Sequence, residues 1–412
     1  MTKLLLIADD FTGALDTGVH FVKKGIKSEV VVRKQNRNFV DLTRYLENEV
    51  IIVDTETRHI KPEEAYKIIC ELLVQARELN IPYFFKKTDS ALRGNISSEL
   101  GAMLQVAQED VHFIPAYPKM NRYTMNGVHY IDGIEVNKSV FGKDPFEPVT
   151  ESYIPKMFDA EICVKLHKNV TEDKASHVII YDARTDRDIE NIVVDLISNE
   201  DAHYFAGCAG LAKTISDYLP LSKKSATMAV KGDSTFVLSG SLNDITQLQL
   251  KYAEDVGIYH YKLTDEEKSD ISYYKTNQGK RLLDEIKYKL SQSGNAIVSA
   301  GEMEGSIQKV DYSLNREKVG STLGHLALQI VQNVTGINLF VIGGDTAVSF
   351  ITQLKNAKIT PISLVEEGVV ISLIETDHNQ FYLITKSGGF GEPDLIVKVL
   401  LRLGTWKLPQ KT

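Results

Sequence analysis

Two adjacent carboxylates, Asp9 and Asp10, end a short apolar run, Leu4-Leu5-Leu6-Ile7-Ala8, and precede Phe11-Thr12-Gly13. Such a run, bounded by polar residues, reads as a strand buried on both faces of a parallel sheet. Open α/β sheets bind ligands just past the carboxyl ends of such strands. Asp9 and Asp10 stand there, although capping the next helix is the plainer role for one of them. Lys86-Lys87-Thr88-Asp89-Ser90-Ala91-Leu92-Arg93 follows the strand-like Tyr83-Phe84-Phe85, and a later loop carries Arg122 and Thr124. Arg matches a carboxylate with two parallel donors. Lys offers a point charge for a transferring phosphoryl group. Asp orients a hydroxyl and takes its proton late in the transfer. The mixture suits a small polyhydroxylated acid. The bland alternative, solvated charges and surface ion pairs worth little each, weakens when so many gather at strand ends.

Glycine recurs at three strand ends in the second half: Ser239-Gly240-Ser241, Gly343-Gly344-Asp345-Thr346 and Ser387-Gly388-Gly389-Phe390-Gly391. Glycine lets a ligand approach the backbone. A helix starting near Asp345 aims free N–H groups at whatever binds there, which suits phosphate oxygens. Asp345 opposes bare phosphate, so a bridging Mg²⁺ or a hydroxyl contact suits it better. Plain tight turns are the competing reading for each cluster alone. No GxxxxGK[ST] loop and no protein-kinase motif occurs.

Positioning these groups requires alternating strands and helices. Ala14–Lys24 has helical spacing and stops at Gly25; Ser28–Val32 and Val50–Val53 read as strands, and Lys61-Pro62-Glu63-Glu64 opens a helix to about Asn80. Asn95 or Ser97 caps a helix to about Gln108, Val111–Ile114 is a strand, and Val128–Val136 is a hairpin turning at Asp132-Gly133. Val178–Tyr181 and Tyr204–Ala206 continue the rhythm. A polar break, Lys223 to Asp233, precedes a second series: Phe236–Leu238, Ala296–Val298, a helix over Ser321–Gln332, Leu339–Ile342 and Phe381–Ile384. This β-α-β order predicts parallel sheets with helices on their faces. His20 reads as a packing or surface residue, His129 as structural although its place near Arg122 would let it reach the site, Cys208 as packing, and Asp265-Glu266-Glu267-Lys268 as a solvated face.

The 412 residues exceed one ordinary core. A hydrophobic content of 43% and a charged content of 25% are those of a soluble globular protein. The net charge of −8 argues against a nucleic-acid surface. Three scattered cysteines fit a reducing compartment. Neither a signal-peptide pattern nor a membrane-length apolar run occurs, which predicts a cytoplasmic protein with no membrane partner.

Taken together, these residues resemble the four-carbon acid sugar kinase family. The match runs through Ala8-Asp9-Asp10-Phe11-Thr12-Gly13, Lys86 to Asn95, Pro115-Ala116-Tyr117-Pro118, Asn126-Gly127-Val128-His129-Tyr130, Asp144-Pro145-Phe146 and Pro148 to Ser152. It continues through Gly343-Gly344-Asp345-Thr346 and Lys386 to Gly391, and so spans nearly the whole chain. The resemblance implies an N-terminal acid-sugar-binding domain, a C-terminal nucleotide-binding domain and transfer of the γ-phosphoryl of ATP to the 4-hydroxyl of threonate, erythronate or 3-oxo-tetronate. It implies that Ser239 or Ser241, Gly343, Gly344, Asp345, Thr346 and Gly388 touch ATP. Asp9, Asp10, Lys87, Asp89, Arg93 and Arg122 would line the sugar side. Asn121 before Arg122, and Cys208, depart from the glycine and serine expected there.

The resulting expectation is an α/β protein of two domains with mainly parallel sheets, 1–225 for the acid sugar and 226–412 for the nucleotide, with the active site in the interdomain cleft. ATP and Mg²⁺ are the expected cofactors, with the metal ligands unassigned. Asp89, Asp10 or Asp345 would orient the hydroxyl. A homo-oligomer is compatible with this reading. The rival readings are a kinase of a related hydroxy acid such as 4-hydroxythreonine, a sensor without turnover, and an NAD-dependent dehydrogenase, which the lack of GxGxxG after the first strand disfavours.

Overall fold

Leu4–Ala8 is strand β1, buried along its whole length as an all-apolar run requires, and Asp10 caps the helix that follows. The computed structural model describes residues 1–33, 40–144, 147–169, 175–198, 202–224, 232–301 and 309–406, with the side chains of 309–316 left aside. Pro145, Phe146 and residues 225–231 of the polar break lie outside the described residues. The chain forms two compact units, Met1–Ala226 and Thr227–Thr412.

The first unit runs β1, α1 (Phe11–Val22), β2 (Ser28–Val32), β3 (Val50–Asp54), α2 (Pro62–Glu78), β4 (Tyr83–Lys87), α3 (Ile96–Ala107) and β5 (Val111–Ile114). An antiparallel sheet of β6 (Arg122–Met125), β7 (Val128–Ile131) and β8 (Ile134–Glu135) follows. The unit then returns through β9 (Val164–Leu166), β10 (Val178–Ile180), α4 (Asp186–Ser198), β11 (Tyr204–Gly207) and α5 (Ala209–Tyr218). The main sheet is parallel throughout, in the order β2-β3-β1-β4-β11-β5-β10-β9. The chain moves from β1 out to β2 and β3, then crosses to β4 on the other side. The direction of winding therefore reverses between β1 and β4, which is where such sheets bind ligands. Ala8 lies level with Asp54 of β3 and Lys87 of β4, so three polar strand ends share one edge.

The second unit comprises β12 (Ser234–Ser239), α6 (Asp244–Asp255), β13 (His260–Lys262), α7 (Asp265–Ser269), α8 (Asn277–Ser293), β14 (Asn295–Ser299), α9 (Lys309–Asn333), β15 (Ile337–Ile342) and α10 (Gly344–Gln353). It ends with β16 (Lys358–Glu366), β17 (Val369–Glu375), β18 (Gln380–Lys386) and α11 (Leu395–Leu403). Strands β13-β14-β12-β15-β18 are parallel, and β17 and β16 extend them as an antiparallel meander. Here the winding reverses between β12 and β15. Among the described residues no helix is long and apolar enough to cross a membrane.

Several elements differ from the sequence expectation. The meander is additional, because β16 mixes polar and apolar residues and contains Pro361. Helix α9 starts at Lys309 rather than Ser321, over a polar stretch without apolar periodicity. Asp265–Lys268 is not a solvated face: Glu267 and Lys268 are buried, and Thr264 and Glu267 form a reciprocal capping box. Lys86 and Lys87 belong to β4 itself. Successive strand residues face opposite ways, and Lys86 turns away from the sheet edge to pair with Glu99 of α3 at 3.0 Å, both side chains at most 1% exposed.

Breaking a buried pair leaves one charge uncompensated and costs about 3–5 kcal/mol. Lys86→Met is expected to lower the unfolding free energy by about that amount in urea titration. Adding Glu99→Gln should restore much of the loss; an unchanged loss in the double variant would mean that Lys86 acts by its packing alone.

Candidate functional site

At the β1–β4 edge the organising residue is Arg58, four residues beyond the end of β3. Its Nε meets Asp9 Oδ2 at 2.7 Å, its Nη1 and Nη2 reach Asp10 Oδ2 and Oδ1 at 3.0 and 2.9 Å, and Nη2 lies 3.8 Å from Asp89 Oδ1. One guanidinium therefore faces three carboxylates from two strand ends. Asp10 is also the helix cap, accepting from Gly13 N at 3.0 Å and from the Thr12 hydroxyl at 2.8 Å. Asp9 is buried, and its Oδ1 has no hydrogen-bond partner among the described residues.

Asp89 is gripped from the other side. Arg93 forks onto it, Nε to Oδ2 at 2.8 Å and Nη2 to Oδ1 at 3.1 Å, and the amides of Ala91 and Arg93 donate to Oδ2. Burial alone would raise the Asp89 carboxyl, but Arg93 and then Arg58 hold it well below the usual carboxylate range. Burial also works against Asp9 ionising, and Arg58, Lys86 and Lys87 outweigh it. Asp54 goes the opposite way: burial first, then Glu56 and Asp10, lift it well above the usual range.

Arg122, at the start of β6, donates to Ser90 Oγ. The guanidinium carbons of Arg93 and Arg122 each lie 5.2 Å from the centre of the Phe141 ring, as cation–π contacts. His129 is buried, its Nε2 donating to Ser90 O at 3.0 Å while Nδ1 meets Thr124 Oγ1 at 3.1 Å. Burial lowers its pKa to about 4, so the ring is neutral and structural. Lys87 is buried and donates to Thr88 O at 2.8 Å. The first unit thus gathers Asp9, Asp10, Asp89, Arg93 and Arg122 around Arg58, with Lys87 on the neighbouring strand.

In the second unit the three glycine clusters also converge. Gly343 has φ +116°, a conformation that favours glycine, and opens α10 with no side-chain cap. Its amide donates to Lys386 O at 2.9 Å, and Gly240 N donates to Ile342 O at 3.0 Å, tying the ends of β12, β15 and β18 together. A Cβ on Gly388 would meet Ser241 Oγ at 2.2 Å. The Thr246 hydroxyl of α6 lies 3.1 Å from Ser241 Oγ and donates to Gly388 O at 2.8 Å. Ser239 and Thr346 are buried beside this cluster, whereas Asp345 is exposed in the first turn of α10. The arrangement offers amides and a helix N-terminus to an anion. Among the described residues no group of three His, Cys, Asp or Glu could hold a metal ion.

Arg58 and Lys386 were missed in the sequence. Arg58 ends the polar stretch after β3, but its role depends on β3 lying beside β1. Lys386 stood next to the glycines, and its burial was the hidden property.

Residues 4–215 match a family model described as a sugar-binding N-terminal domain, and residues 236–396 one described as a nucleotide-binding C-terminal domain. A protein of Salmonella typhimurium named D-threonate kinase is 23% identical over 97% of both chains. A Heliobacterium modesticaldum protein named D-erythronate kinase is 23% identical over 96% of this chain and 95% of its own. An Actinobacillus succinogenes protein named 3-oxo-tetronate kinase is 25% identical over 94% of this chain and 97% of its own. A solved structure from Haemophilus influenzae shares the fold with a TM-score of 0.69 at 19% identity, covering 97% of this chain and all of that one.

Arg58→Met would leave the buried carboxylates facing one another, a loss of about 3–5 kcal/mol near neutral pH. In the parent, the stability owed to Asp89 is complete above the unfolded carboxylate pKa of about 3.9 and is lost as pH falls through the lower folded value. In the variant those carboxyls protonate at higher pH, which relieves the repulsion. The difference in melting temperature is therefore expected to narrow as pH falls below about 5. A difference independent of pH between 4 and 8, measured by calorimetry, would contradict this electrostatic role.

Proposed function

The chain belongs to the four-carbon acid sugar kinase family, and we propose that it transfers the γ-phosphoryl of ATP, taken as its magnesium complex, to the 4-hydroxyl of a four-carbon sugar acid of the threonate, erythronate or 3-oxo-tetronate type. The observation that carries this reading is that each unit gathers its polar residues at the switch point of its own parallel sheet. Carboxylates and guanidinium groups gather in the first, and glycine amides in the second.

Arg122 and Lys87 receive the sugar carboxylate, since Arg93 is already engaged by Asp89. Asp9 accepts from a sugar hydroxyl through Oδ1, while Asp10 serves mainly as helix cap and partner of Arg58. Asp89, fixed and firmly ionised, orients the attacking hydroxyl. A loose phosphoryl-transfer transition state asks for little proton removal until late, so a carboxylate of low pKa suffices. The amides around Gly343, Gly344 and Gly388, with Ser239, Ser241 and Thr346, hold the nucleotide. Asp345, exposed at the start of α10, suits the magnesium of the nucleotide or a ribose hydroxyl. Excluding water lets the sugar hydroxyl attack in its place.

The test is ADP release with D- and L-threonate, erythronate, 3-oxo-tetronate and 4-hydroxythreonine. At least one four-carbon sugar acid should support turnover. ATP binding with no ADP release from any of them would instead indicate a sensor. Asp89→Asn is expected to lower kcat by about 100-fold or more while leaving ATP affinity unchanged. Gly388→Ala, whose new methyl would strike Ser241, should raise KM for ATP and spare KM for the acid, as initial-rate kinetics would report.

A further inference from the structure

The second unit buries a cation against neutral groups. Lys386 closes β18 with its side chain fully buried. Its ammonium donates to Ser387 O at 2.9 Å, to Gly388 O at 3.0 Å and, more weakly, to Thr246 Oγ1 at 3.5 Å. Of the three other buried lysines, Lys86 meets Glu99, Lys268 meets Asp265 and Lys87 lies within the field of Asp9. Lys386 has no ion-pair partner among the described residues, and burial alone pulls its pKa down to about 7. An ammonium kept in such a place is costly unless an opposite charge arrives.

The bonds it makes also have a geometric effect. Two successive carbonyls, of Ser387 and Gly388, are drawn toward Nζ, and Thr246 holds the second as well. The peptides are trans, and a trans peptide sets its N–H opposite its C=O. The amides of Gly388 and Gly389 therefore point away from the lysine.

We propose that Lys386 is a positioning residue for the nucleotide's phosphates: beneath the Ser387–Gly389 turn it fixes two amides as donors and supplies, through the turn, the positive charge that the phosphates neutralise. The proposal rests on the nucleotide reading above. Bound phosphate favours the charged ammonium, so its pKa rises on binding. Between the free and bound values, binding takes up a proton, and pH 8 lies above the free value. The ammonium bonds the two carbonyls and the Thr246 hydroxyl of α6, and the strand neighbours of Lys386 are Ile342 of β15 and Val369 of β17; none of these groups titrates.

The experiment is titration calorimetry of the full chain at pH 8 with magnesium–ATP and with adenosine, in two buffers of different ionisation enthalpy. The wild type should take up part of a proton with ATP and none with adenosine. Lys386→Met and Lys386→Gln should abolish the uptake and weaken ATP at least tenfold, with adenosine affinity changed less than twofold. Both variants remove a buried ionisable group without an ion-pair partner and should melt at or above the wild-type temperature. Wild-type ATP affinity in Lys386→Gln would overturn the proposal, as would equal loss of ATP and adenosine, the mark of a merely structural role. A wild-type chain that binds neither ligand would overturn the nucleotide reading itself, and the proposal with it.

Discussion

The first unit depends on one electrostatic constraint: three carboxylates and a buried guanidinium must be placed together or not at all. Arg58 makes the crowding of Asp9, Asp10 and Asp89 tolerable. Without a cation, carboxylates this close and this buried could not all ionise. The sheet supplies the proximity by setting Ala8 level with Asp54, and the chain after β3 supplies the counter-charge. The acidity of the site and the order of its strands are thus one fact seen at two scales.

The two units handle burial of charge differently. The first sets its carboxylates against guanidinium groups, so much of its edge is a network of forks and caps. At its glycine clusters the second relies on backbone groups, with amides, a hydroxyl and Lys386, whose ammonium has no ion-pair partner among the described residues. A network of paired side chains can present several hydrogen-bonding directions to a ligand rich in hydroxyls. An array of amides is suited to a compact anion.

The strands were legible because their ends coincide with abrupt changes from apolar to polar, as at Ala8-Asp9 and Ile342-Gly343. The glycine clusters were legible because few residues tolerate a backbone like that of Gly343. What could not be read were relations set by distant neighbours. Lys86 and Lys87 look equivalent in the chain, yet strand alternation sends one to Glu99 and leaves the other near α1. Whether Asp10 capped a helix or faced a ligand could not be separated in the sequence, and its two oxygens answer by serving Gly13, Thr12 and Arg58 together. Arg58 itself had no local signature, because its partners lie almost fifty residues upstream and thirty downstream.

His129 carries a consequence of a different kind. Its carbonyl partner, Ser90 O, can only accept, so the proton sits on Nε2, and Nδ1 takes the Thr124 hydroxyl as donor. With its pKa near 4, the ring keeps this one tautomer through the range in which histidines ordinarily switch. The loop bearing Asp89 is therefore pinned by a group that ignores mild acidification. Acidity that would charge an ordinary histidine leaves this contact, and its hold on the loop, unchanged.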